Sequence, residues 1–171
     1  MGKITAAALA VLMLPVGAGA LEISPAVQRE IDRHVEVIKA WAASDVVVEA
    51  VLAQNARGPV AGMDNAKWKS VRRSDARVKA FQAGAAGQYL KQKLAGSDGA
   101  YSEAFLNAAQ GEKVAFVEKT SSYIHKGQPK FDLPFSGKVW RGKPEFDESS
   151  QTHQLQVSVP VLSGGKPVGV L

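Results

Sequence analysis

The sequence contains no cysteine, so disulfides, a thiolate nucleophile and thiolate metal sites are all excluded. It has only three histidines, His34, His125 and His153, spaced far more widely than the roughly three to five residues of a metal-ligand pair. No H-E-x-x-H and no G-x-S-x-G occurs, which removes the zincin and nucleophile-elbow hydrolases. Gly84 and Gly87 follow no strand pattern, so they do not form a phosphate loop. The chain is basic, with a net charge of +5, yet it has no dense Lys/Arg run interleaved with aromatics, so a nucleic-acid partner is not expected. After residue 20 no apolar run approaches the ~18 residues of a membrane span. Repeats and low-complexity tracts are missing as well. These absences predict a protein with no catalytic residues, no metal and no cofactor.

The first twenty residues do carry a signal. Lys3 is a positive start, Ile4 to Val16 an apolar stretch, and Ala18-Gly19-Ala20 an A-x-A cleavage site. Together they predict a signal peptide over 1–20, a mature chain from Leu21 and a periplasmic location. The remaining 21–171 is the length of a single domain with one sizeable core.

Ser24-Pro25 is a helix start, with Ser24 as cap and Pro25 in the first turn. Val27, Ile31, Val35, Ile38, Ala42, Val48 and Leu52 then follow an amphipathic spacing, which predicts one helix of about thirty residues up to Gly58-Pro59. Asp64 caps a second helical region through Trp68, Val71, Arg72, Asp75, Val78 and Phe81. A short third helix runs from Gln88 to Leu94 and stops at Gly96. From residue 101 the pattern changes to strands. Glu103–Ala108 and Lys113–Lys119 are joined at Gln110-Gly111. Thr120–Gly137 is irregular, and further strands follow at Val139–Asp147, Gln151–Leu162 and Lys166–Leu171. In the fourth of these, Leu155, Val157, Val159 and Val161 alternate with Gln154, Gln156 and Ser158, which predicts an apolar covered face and a polar open one. Helices followed by five strands make an α+β plan, with helices on one face of an antiparallel sheet.

Several of these segments are similar to the Cache family, the extracytoplasmic, PAS-like small-molecule sensor domains of bacteria. They are Glu103-Ala104-Phe105, Gly111, Val114-Ala115, Thr120-Ser121-Ser122-Tyr123, Asp147-Glu148-Ser149 and Gln156–Val161 followed by Gly164-Gly165-Lys166-Pro167-Val168-Gly169-Val170-Leu171, together with the Asp64 and Trp68 pair. The resemblance implies a single Cache-like domain over 21–171, with a long helical spine and a five-stranded PAS-like sheet whose final strand is central. It further implies a sensing role for a small-molecule ligand and, because no second span or output domain is evident, a solo module with a membrane-bound signalling partner. The chain departs from the pattern after Thr120-Ser121. Where acidic residues are usual, it has Ser122 and then Ile124-His125-Lys126-Gly127.

The binding residues expected on this basis are Trp68, Arg72, Tyr123, His125, Trp140, Arg141 and Asp147. Tyr123 and His125 lie in the crossover that lids such pockets. Trp140 and Arg141 are neighbours on a strand, so only one of them faces inward. Trp68 and Arg72 are four apart on a helix. A crossover without its acidic groups, with arginines at hand, predicts a neutral or carboxylate-bearing ligand. Asp147 remains as a cation partner. Core packing of the tryptophans and solvation of the arginines are the plainer alternatives for those residues. Two rival functions stay open: a periplasmic structural or docking protein with a filled core, and a hydrolase using Asp147 and Glu148.

Overall fold

The computed structural model describes residues 23–147 and 152–171. The expected signal peptide, its cleavage after Ala20 and Glu148 all lie outside the described residues, and so do the side chains of Asp147 and Thr152.

The first helix starts where the sequence places it. Ser24 Oγ accepts from the Val27 amide, and Pro25 opens α1 (Pro25–Ala42). The thirty-residue spine is not formed, however. The chain turns at Ala43-Ser44, and α2 begins afresh as Asp45–Arg57. The cause is local. The Ser44 hydroxyl donates to the Trp41 carbonyl at 2.8 Å, which satisfies an orphan acceptor at the end of α1. Asp45 then puts a negative charge on the N-terminus of α2. The buried stripe shifts accordingly. Val35, Ile38, Trp41 and Ala42 are buried on α1, and Val47, Val51 and Gln54 on α2, while Val27 and Leu52 of the expected stripe are exposed.

The second helical region also divides. In α3 (Asn65–Ser70) Asp64 accepts from the Lys67 amide at 2.7 Å, and α4 (Ala76–Ala83) is capped by Asp75. The third helix, α5 (Ala85–Ala95), starts three residues earlier than Gln88 and ends at Gly96. Within the stretch read as irregular, Pro129 opens a seven-residue helix, α6 (Pro129–Phe135).

The protein is α+β, with a central antiparallel sheet of four strands rather than five. β1 (Phe105–Ala108) pairs with β2 (Lys113–Phe116). The last two strands are β7 (Pro160–Ser163) and β8 (Lys166–Val170), and the order is β2-β1-β8-β7. The expected third and fourth strands do pair, but as two separate ladders: β3 (Trp140–Arg141) with β6 (Val157–Ser158), and β4 (Glu145–Asp147) with β5 (Thr152–Gln154). Pro144, which has no amide hydrogen, sits at the break between β3 and β4. The β7–β8 turn uses Gly164 and Gly165, both at positive φ (55° and 76°), the backbone of a tight primed hairpin. β8 lies centrally, as expected of the last strand. Gly169 has no room for a side chain, since a Cβ there would meet the Asn107 carbonyl oxygen at 2.4 Å and Val51 at 2.7 Å.

The alternation in the fourth segment is only half realised. Val159 and Val161 are fully buried, and Leu155 and Val157 are half-buried. Ser158, expected on the open face, is buried because α6 covers β6 on that side. Two apolar clusters result. The larger joins Ile38, Trp41, Val47, Val51, Leu90, Leu106, Val159 and Val161 between helices and sheet. The smaller gathers Trp68, Val78, Phe116 and Tyr123 at the β2 end.

Candidate functional site

A cavity of about 1250 Å³ opens between α1, the segment leading into β1, the crossover before α6, and the β3–β6 and β4–β5 ladders. Trp41 and Ile38 come from α1 and Trp140 and Val157 from the far ladder, while Phe146 and His153 form a ring pair on the hairpin. These aromatic and aliphatic walls are joined by charged side chains, Glu103, Lys119, Lys130, Lys143 and Glu145, and polar groups that can orient a small molecule gather at two places in particular.

The first polar place is on α1. His34 Nδ1 is 2.6 Å from the Tyr101 hydroxyl, and His34 Nε2 is 3.2 Å from Glu30 Oε1. Burial pushes the Tyr101 phenol above its ordinary pKa.

The second is deeper and basic. Phe105, His125 and Lys130 line the cavity. Behind them lies Lys113, which has no exposed surface. Its Nζ sits 3.6 Å above the Phe105 ring, 3.3 Å from His125 Nδ1 and 3.4 Å from Asn107 Oδ1. None of the ion pairs among the described residues includes it. Burial holds the Lys113 ammonium well below the usual lysine range, the Lys130 charge lowers it further, and Glu103 pulls it back. Burial likewise pushes the His125 imidazole down to about 3, helped by Lys113 and Lys130. Lys130 is lowered by burial, with Glu103 opposing.

His125 is held by its backbone. Its amide donates to the Gly111 carbonyl at 2.8 Å, and Gly111, at φ 82°, packs so closely on Lys126 that a Cβ would lie 2.3 Å from its amide nitrogen. The β1–β2 turn and the crossover are thus locked together, which fixes the ring against Phe105 and Lys113.

Of the residues expected from the sequence, the structure brings His125 and Trp140 to the cavity. Trp68 is in the core instead, 1% exposed, with its indole N–H donated to the Thr120 carbonyl at 2.8 Å. Tyr123 is fully buried beside it, and its hydroxyl accepts from the Val60 amide. Arg72 is exposed and away from the cavity, because α3 stops at Ser70 and the i,i+4 relation to Trp68 does not exist. Arg141 points outward and pairs with Asp32 Oδ1 of α1 at 2.7 Å. The backbone of Asp147 ends β4.

Sequence reasoning missed Lys113, Lys130, Phe105, Tyr101 and the placement of His34. Only Lys113 left a trace. It is the one charged residue in a strand whose other members, Val114, Ala115 and Phe116, are apolar.

No family model matches the chain, and no curated protein matches it. A solved structure that does match is the sensor domain of the V. cholerae histidine kinase DctB. The two are 15% identical with a TM-score of 0.40, over 84% of this chain and 54% of that one. The chain thus spans about half the length of that sensor domain.

Proposed function

We propose that this chain is a small-molecule-binding module of the periplasm, mature from Leu21, whose ligand carries a carboxylate. The observation that carries the reading is the basic inner end of the cavity: Lys130 and His125 on the wall, with Lys113 behind them and no ion-pair partner among the described residues. A buried cation without an anion is costly, and a carboxylate bound there supplies the missing charge together with acceptors for two or three N–H donors. The aromatic walls take the rest of the molecule. Glu103, close to Lys130, disfavours a ligand with more negative charge than these cations balance. The ligand class is the one expected from the sequence, but the cations are lysines and a histidine rather than Arg72 and Arg141. A sensing role, with a membrane-bound partner reading the state of the domain, rests on the sequence similarity to Cache domains. The docking alternative with a filled core fits poorly with a cavity of about 1250 Å³.

Calorimetry and thermal shift with acetate, pyruvate and citrate, set against ethanolamine and putrescine, test the reading. An acid that binds the folded protein raises the melting temperature. Loss of a hydrogen bond to a charged group costs about 1.5–3 kcal/mol, so Lys130→Ala should weaken the best acid roughly 10- to 100-fold. Binding of an amine with no response to any acid refutes the carboxylate assignment.

A further inference from the structure

We propose that an anion entering this cavity brings a proton with it, taken up by the Lys113–His125 pair, so that binding tightens as the pH falls. This rests on the carboxylate reading above and adds to it the protonation state in which the site works.

The geometry is the argument. Lys113 Nζ and His125 Nδ1 are 3.3 Å apart, and both residues are buried. Two nitrogens at that separation bond only if one of them offers a lone pair, so they share protons rather than each holding a full complement. Donation from Lys113 to Nδ1 leaves the His125 Nε2 with the ring hydrogen, and His125 lines the cavity. Three further residues face the pair, two of them charged. Lys130 on α6 stands 5.7 Å from the centroid of the Phe105 ring that covers Lys113. Glu103, ahead of β1, is the carboxylate whose charge reaches Lys113 and Lys130. Asn107 on β1 is neutral and spends its amide N–H on the Gly111 carbonyl. The neighbouring charges make other contacts. Glu112 accepts from the Gln110 amide through Oε2, while its buried Oε1 has no partner among the described residues; Asp132 accepts from the Gly127 amide, and Lys126 is exposed.

Both members of the pair are therefore buried with Lys130 beside them, and the empty site disfavours a further proton on the pair. The downward shifts of both groups agree with this. An anion against His125 and Lys130 reverses the balance. It adds a counter-charge to that of Glu103, which forms no ion pair with Lys113 or Lys130 among the described residues, so the proton and the anion enter together. Linkage requires the converse: each makes the other bind more tightly.

The test is a pyruvate titration of the full chain from pH 8 to pH 6, a range in which pyruvate itself stays ionised. Calorimetry in two buffers of different ionisation enthalpy counts the protons. The expected result is net uptake of up to one proton per pyruvate, with affinity rising at least threefold, and at most tenfold, per pH unit lost. Lys113→Met and His125→Gln should each flatten that slope, whereas Lys130→Met should weaken binding and leave the slope. If either variant of the pair fails to fold, nitrogen-15 shifts of lysine and histidine side chains in the unmodified chain serve instead. Saturation with pyruvate should move Lys113 or His125 toward its protonated form. Pyruvate binding with no proton uptake, or with nitrogen signals of both residues unmoved, overturns the inference and leaves the carboxylate reading standing. Absence of binding by pyruvate, acetate and citrate alike at every pH overturns both.

Discussion

Replacing Lys113 with methionine should make the empty protein more stable. The perturbation is nearly isosteric: methionine keeps the apolar stem that packs under Phe105 and deletes the polar tip. The losses are small, because both hydrogen-bonding contacts of Nζ are long and the stem keeps its packing under Phe105. The 3.4 Å contact to Asn107 Oδ1 and the 3.3 Å contact to His125 Nδ1 lie beyond the usual range for N–H donors. Each is worth well under the ~1 kcal/mol of an average hydrogen bond. The gain is the relief of burying an amine with incomplete partners, roughly 1–3 kcal/mol. A second contribution depends on pH. The folded-state pKa of Lys113 is depressed, so between that value and the ordinary lysine value the unfolded chain binds a proton that the folded chain does not. Wild-type stability therefore falls as the pH drops through this window, by about 1.4 kcal/mol for each pH unit. The methionine variant has no such loss.

The assay is urea unfolding of both proteins at pH 10, 8.5 and 7, with thermal melts alongside. The advantage of Lys113→Met should be smallest at pH 10 and at least ~1–2 kcal/mol at pH 7. For a chain of this length that is a rise of about 3–6 °C. A variant less stable than wild type at pH 7 would show that Lys113 has a strong partner. An advantage independent of pH would show that its proton does not respond to burial. Either outcome refutes the reasoning. The same variant should bind pyruvate more weakly, so stability and binding move in opposite directions, as expected where a binding site keeps a buried amine with incomplete partners.

Three further outcomes follow from named contacts. His125 has its pKa pushed from 6.5 to about 3, so wild-type stability should decline as the pH falls from 6.5 toward 3, at up to ~1.4 kcal/mol per unit. His125→Gln should remove that part of the decline in acid-unfolding curves, and identical curves would count against a neutral, buried imidazole. Gly169→Ala places a methyl against the Asn107 carbonyl and Val51; it should cost at least ~1–3 kcal/mol in urea unfolding, and an unchanged midpoint would mean that β8 sits differently. Arg141→Ala breaks only an exposed pair with Asp32 and should change stability by less than ~0.5 kcal/mol and pyruvate affinity not at all, whereas a clear loss of affinity would return Arg141 to the site.

Features set by neighbours in sequence could be read from it. Ser24 and Pro25 start α1, Asp64 caps α3, Gly96 ends α5 and Gly164-Gly165 turns the last hairpin. All are short-range hydrogen bonds or backbone restrictions that the residue type itself imposes. Features that depend on which of two local choices the tertiary structure rewards could not be read. Ser44 is compatible with a helix interior, yet its hydroxyl takes the Trp41 carbonyl, and the stripe restarts one register away so that Val47 and Val51 reach the sheet. Pro134 is unfavourable inside a helix, so 120–137 reads as irregular, but the helix over 129–135 is only seven residues long, and Pro129 and the Gln128 carbonyl start it. Alternation placed Ser158 in the open, because no residue near it signals that α6 returns across that face.

The site was the least legible part, for an electrostatic reason. Candidate ligand-binding cations were sought among arginines, whose fixed charge and fork geometry make them the natural carboxylate partners. Those same properties keep Arg72 and Arg141 in water, where they cost nothing: one is exposed and the other pairs with Asp32 across to α1. A lysine can be buried because it can give up its proton, and histidine more readily still. Lys113 and His125 are twelve residues apart in the chain and meet only because the Gly111 turn packs against the crossover backbone. A basic site lined by groups that become neutral when empty leaves no mark in composition or spacing. Its signature is one lysine on a strand buried on both faces, and that signature gains meaning only once a cavity is found on the far side of Phe105.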